Sequence, residues 1–161
     1  MKARSKTLLL VSLFFIILGI INGTSIESLK HLITTSDALV ADYFQIAGKG
    51  TTFLNVGLMM LGSTFLLWFL DIELTGVVVS SIFLLGAFSF FGKNPINATP
   101  IILGGLLYTK YHKEDIQKTI PFILTSTGFA PFVSELMFHI NIGSFQRLIL
   151  SIISGLSIGW I

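Results

Sequence analysis

A chain of 161 residues that is 53% hydrophobic and only 11% charged cannot clothe a water-soluble globule, which carries about a quarter charged residues. With a mean hydropathy of +0.87 it reads as an integral membrane protein, and a net charge of +2 drawn from few residues gives no footing for nucleic acid. Cysteine is absent, so disulfides, thiolate metal sites and cysteine nucleophiles are excluded, and three histidines are too few for a dedicated metal site.

Lys2, Arg4 and Lys6 precede an apolar run over residues 7–21, with no small-residue cleavage pattern after it. This reads as an uncleaved first membrane helix whose N-terminus is cytoplasmic. In residues 26–46, Leu29, Leu32, Ile33, Leu39, Val40, Tyr43 and Phe44 share one helical face. That stretch is an amphipathic helix at the interface or a re-entrant half-helix. The glycines Gly48 and Gly50 flanking Lys49 then break it.

Residues 52–70 form the second span, with Asn55 one turn in and Trp68 at the far interface. Asp71 and Glu73 mark a tight turn before the third span, residues 74–91. The fourth apolar run, 101–108, is too short to cross a bilayer, which takes about 20 residues. It must recruit part of the preceding segment, residues 92–100. The fifth span, 120–138, is interrupted by Pro121, Gly128 and Pro131, and the sixth runs from 145 to 161. The expected fold is therefore all-α: a polytopic membrane protein of about six helices with a broken or re-entrant segment around residues 92–100. Lys2, Arg4, Lys6, Lys110, Lys113 and Lys118 fall on one side of this topology, which predicts that side as cytoplasmic in a multi-pass inner-membrane protein.

Residues 92–100 are also where chemistry concentrates. Pro95 and Pro100 disfavour helix for Asn94 and Thr99, and Lys93, Asn94 and Asn97 put a cation and two carboxamides on that irregular backbone. Free amides at the N-terminus of the next helix would point into the same space, favouring an anionic or strongly polar solute. Asn55, Thr51 and Asp42 are the remaining candidates for a substrate path. Glu135, with His139 one turn on, is a candidate proton-coupling pair, since an ionisable residue at membrane depth is costly. No metal-binding, phosphate-loop or nucleophile motif occurs, so neither a cofactor nor an enzymatic activity is expected.

Three features occur together: Asp42-Tyr43 before a glycine break with Asn55 after it, the set Gly92, Lys93, Pro95, Asn97 and Pro100, and Ala130-Pro131 followed by Ser134-Glu135. In this the chain resembles an uncharacterised bacterial multi-spanning membrane family, domain of unknown function 1576. The resemblance runs from about residue 32 to the end. It implies that residues 1–161 are a single transmembrane domain forming one half of a longer two-repeat protein. Expected partners are the bilayer and a second half or another copy. Two functions are expected: a transporter or channel-like half for a small polar or anionic solute, or a six-helix substrate-binding subunit of a multi-subunit transporter.

Overall fold

The computed structural model describes residues 3–35 and 42–160, with side chains from residue 5 onward. The described residues are helical, with no strand. In chain order they form α1 (Ala3–Ile21), α2 (Ile26–Thr34), α3 (Tyr43–Phe69), α4 (Gly76–Phe88), α5 (Pro95–His112), α6 (Ile116–Ser126), a 3-10 turn (Thr127–Phe129), α7 (Ala130–Phe138) and α8 (Ser144–Trp160).

Local chemistry explains the boundaries. Ser25 and Ser28 close a reciprocal capping box at the start of α2. At its other end the Thr34 and Thr35 hydroxyls bond back to the Lys30 and His31 carbonyls, and Thr35 is extended. A continuous helix over 26–46 is therefore corrected: α2 stops at Thr34, and a separate helix starts at Tyr43, capped by Asp42. Asp37, Leu39 and Val40 lie outside the described residues. Between α1 and α2 the chain turns by 116°, so α2 lies across the end of α1.

Gly48 interrupts α3 as expected, with φ 79° and ψ 168°, a conformation open essentially to glycine alone. Thr52 donates to the Gly48 carbonyl freed by that break. Beyond it α3 packs along α1 at close range: a Cβ on Gly57 would stand 2.6 Å from Ile16 Cγ1 and 2.8 Å from its backbone nitrogen. A second close pair is α5 and α8, where a Cβ on Gly159 would overlap the Ile101 carbonyl and one on Gly104 that of Leu156. Small residues of α3 and α8 thus serve contacts inside this chain, Gly57 against α1 and Gly155 and Gly159 against α5. Gly62 meets nothing and borders a cavity of about 200 Å³ between α3 and α5.

Among the described residues two segments are long and apolar enough to cross a membrane, Tyr43–Phe69 and Ile116–Phe138, and the bent pair of α1 and α2 would make a third. With 13 residues, α4 rises about 20 Å, well short of a hydrocarbon core of about 30 Å. Six crossings are more than length and apolarity carry by themselves. The protein is an all-helical membrane protein whose described core centres on Val56, Met60, Ile82, Leu85, Ile101 and Leu124.

The start of α1, the turn after α3 and the turn after α5 gather at one end. Thr7 and Leu8 share a cavity of about 340 Å³ with Thr75 and Gly76. Gln117, at the start of α6, exchanges hydrogen bonds of 2.7 and 2.9 Å with the Glu73 backbone. Towards the opposite end, the turn after α4 is recessed. Its Phe90 ring packs 6.0 Å from Phe15 and 5.6 Å from Phe44. Phe15 precedes the end of α1 by six residues, about 9 Å of helix.

Candidate functional site

The segment from Ser89 to Asn94 leaves helical geometry after Phe88, turns at Gly92 with φ 91°, and re-enters helix at Pro95. Pro95 fits there because the first helical residue has no intrahelical use for its N–H. The expected break is thus narrower than 92–100. Pro100 lies inside α5, where Thr99 donates to the Pro95 carbonyl one turn back. As expected, the fourth run recruits residues 95–100, and with 109–112 beyond it α5 reaches a length of 18.

Around this turn the structure collects a buried polar cluster. Asn55 reaches over from α3 and donates through Nδ2 to both the Ser89 and the Lys93 carbonyls, each at 2.8 Å. Asn97 donates to the Gly92 carbonyl at 2.8 Å and to Ser134 Oγ on α7 at 2.7 Å, while its Oδ1 accepts from Asn94 N. The Asn94 side chain accepts from the Ile96 and Asn97 amides and donates to the Tyr43 hydroxyl. These bonds satisfy the donors and carbonyls that the turn releases, as a break away from water requires.

One expectation fails here. The first α5 amides do not point freely at a solute. Asn94 and Asn97 form a closed capping box, which takes up the amides that an anion would need.

Lys93 is different. It is 1% exposed, yet among the described residues Nζ has a single hydrogen-bond acceptor, Thr127 Oγ1 at 2.8 Å, and stands 5.0 Å from the centre of the Phe88 ring. Among the described residues no carboxylate pairs with it. A hydroxyl and a ring face are weak compensation for a desolvated ammonium. Thr127 is the middle residue of the 23-residue run Ile116–Phe138, where the helix tightens into its 3-10 turn. Lys93 therefore reaches a level roughly 16 Å from either end of that run.

The second unmet group is Asn55 Oδ1, buried and without a hydrogen-bond partner among the described residues. An exchanged amide orientation does not resolve this, because both bonds made by Nδ2 are to carbonyls, which accept and cannot donate.

Of the residues expected to line a path, Lys93, Asn94, Asn97 and Asn55 meet in this cluster. Thr51 is buried elsewhere, bonded to Ser28 of α2 at 2.6 Å. Asp42 is exposed and caps α3, accepting from Phe44 N; it is the adjacent Tyr43 that enters the cluster. Glu135 is half-buried and His139 exposed, and no side-chain hydrogen bond or ion pair joins them among the described residues. Sequence reasoning missed Thr127 as a partner; its signal was the interruption of the fifth span at Gly128, whose neighbours Thr127 and Phe129 leave regular α-helix.

The chain belongs to the family described as "Protein of unknown function (DUF1576)". The family profile matches residues 21–161, a stretch that includes every member of the polar cluster. No curated protein matches the chain, and no solved structure does.

Proposed function

We propose that this chain is a transporter or channel-like half for a small polar or anionic solute, working in a cytoplasmic membrane. The observation that carries this reading is the Lys93 ammonium, buried with no carboxylate partner among the described residues and bonded to the middle residue of an apolar 23-residue run. Such a group is expensive in a purely structural role, and ionisable residues at that depth belong to solute or ion paths as a rule. Two irregular segments, the turn after α4 and the 3-10 turn after α6, face each other there, the arrangement in which discontinuous helices build midplane sites.

On this reading the short α4 and the recessed turn form a re-entrant pair with α5, and the gathered end that carries Lys6, Lys110, Lys113 and Lys118 is cytoplasmic. A second half or another copy completes the path, and the chain has no enzymatic role.

Vesicles containing the full chain test the proposal. Loaded with a self-quenching dye and diluted into isotonic formate, acetate, chloride, urea or glycerol, they should swell faster than empty vesicles for at least one solute. Lys93→Met should remove that difference. Swelling equal to empty vesicles for every solute, with the protein correctly inserted, points instead to a non-transporting subunit.

A further inference from the structure

The two unmet groups of the cluster hang on one short loop. Asn55 Nδ2 is fixed on the Ser89 and Lys93 carbonyls, which leaves Oδ1 as a buried acceptor beside that loop. From the same loop the Lys93 side chain runs to Thr127 and the Phe88 ring, with two of its three N–H donors uncommitted to any described residue. An ammonium wants negative charge, and a carboxamide oxygen wants a donor. A simple halide answers the first need and leaves the second. A plain carboxylate such as acetate does the same. An anion that also carries an O–H or N–H answers both.

We propose that Lys93 on the Ser89–Asn94 turn and Asn55 of α3 form a binding site for a small monovalent anion bearing its own hydrogen-bond donor, such as a 2-hydroxy acid or bicarbonate. The anionic oxygens lie on Lys93 Nζ, competing with or joining Thr127, and the ligand hydroxyl donates to Asn55 Oδ1. The capping box of α5 takes no part, since its amides are already taken. The site's selectivity rests on leaving Asn55 Oδ1 unsatisfied when a ligand lacks the donor, a penalty that a hydrogen-bonding site imposes far more strongly than an apolar pocket can. This inference rests on the reading of Lys93 as a solute-path residue and names the class of solute.

Glycolate and acetate differ by the hydroxyl in question, so they are the probe. The full chain in lipid nanodiscs is melted against increasing sodium glycolate, acetate and chloride at matched ionic strength and pH. Glycolate should raise the melting midpoint with an apparent affinity about tenfold tighter than acetate, the worth of one hydrogen bond to an otherwise unmet buried group. Chloride should give no more than acetate. Lys93→Met should abolish the glycolate response, and Thr127→Val, which removes the competing acceptor while keeping the side-chain shape, should preserve or strengthen it.

Equal responses to glycolate and acetate in the native chain, or a glycolate response that survives in Lys93→Met, overturn the proposal. That comparison needs no variant, so it stands even where Lys93→Met fails to fold. With isotonic sodium glycolate added to the vesicle series, glycolate binding without swelling in any solute would sink transport and leave the site. Swelling with no preference for glycolate over acetate would sink the site and leave transport.

Discussion

Lys93 Nζ donates to Thr127 Oγ1 at 2.8 Å, and through that one bond the turn between α4 and α5 is tied to the midpoint of the run Ile116–Phe138. Both partners are buried. The bond should therefore be visible as a coupling energy. Thr127→Val leaves the ammonium without its acceptor and should destabilise the native chain by about 1.5–3 kcal/mol. In a Lys93→Met background the same change should cost much less, because no donor remains to be orphaned. Thermal melting of the four proteins measures this.

Lys93→Met by itself should be neutral or stabilising. Replacing a poorly compensated buried charge by an unbranched apolar side chain removes a desolvation penalty. A stable but inactive Lys93→Met protein is the signature of a functional residue held at a cost, whereas a large loss of stability would mark Lys93 as structural.

The two asparagines of the capping box should be ranked by what each leaves behind. Asn97→Ala orphans the Gly92 carbonyl, Asn94 N and Ser134 Oγ, with about 1–3 kcal/mol at stake for each group that finds no new partner. Asn94→Ala removes the cap from Ile96 N and Asn97 N, at about 0.5–2 kcal/mol, and Asn94→Ser should recover most of it. Denaturation in mild detergent should place Asn97→Ala below Asn94→Ala.

Two glycines predict opposite outcomes. Gly159→Ala puts a methyl against the Ile101 carbonyl and must drive α8 off α5, so it should lower the melting midpoint markedly. Gly62→Ala enters open space in the middle of α3 and should gain up to about 1 kcal/mol from helix propensity.

Glu135 and His139 should behave independently. With no side-chain contact between them, the effects of Glu135→Gln and His139→Ala on stability and on solute flux should add within about 0.5 kcal/mol. A larger coupling would restore them as a pair.

The sequence made the membrane class, the helical fold and the Gly48 break legible, because composition and glycine placement act locally. It also singled out Lys93, Asn94, Asn97 and Asn55. It could not reveal that Asn94 and Asn97 spend their side chains on each other and on the first turn of α5, since a capping box and a solute site use the same residue types. Pro100 misled for a related reason: proline penalises a helix interior, but packing against Gly155 of α8 holds α5 together through it. The interruption at Gly128 marked the place of Thr127 but not its partner, which lies 34 positions away and which neither residue type announces.

The most direct test of a recessed, solute-lined turn is thiol labelling on a chain that has no native cysteine. Single cysteines at Phe91, Ile96, Ala98 and Thr99 sample the turn and the first two turns of α5; Ala98 is buried, and Ala98 and Thr99 border the cavity between α3 and α5. Sealed vesicles are treated with a small charged methanethiosulfonate and with a bulky impermeant maleimide. The account predicts that the small reagent reaches Ala98 and Thr99 while the bulky one does not. Free labelling of all four positions by both reagents would make residues 89–94 an ordinary surface loop and contradict it.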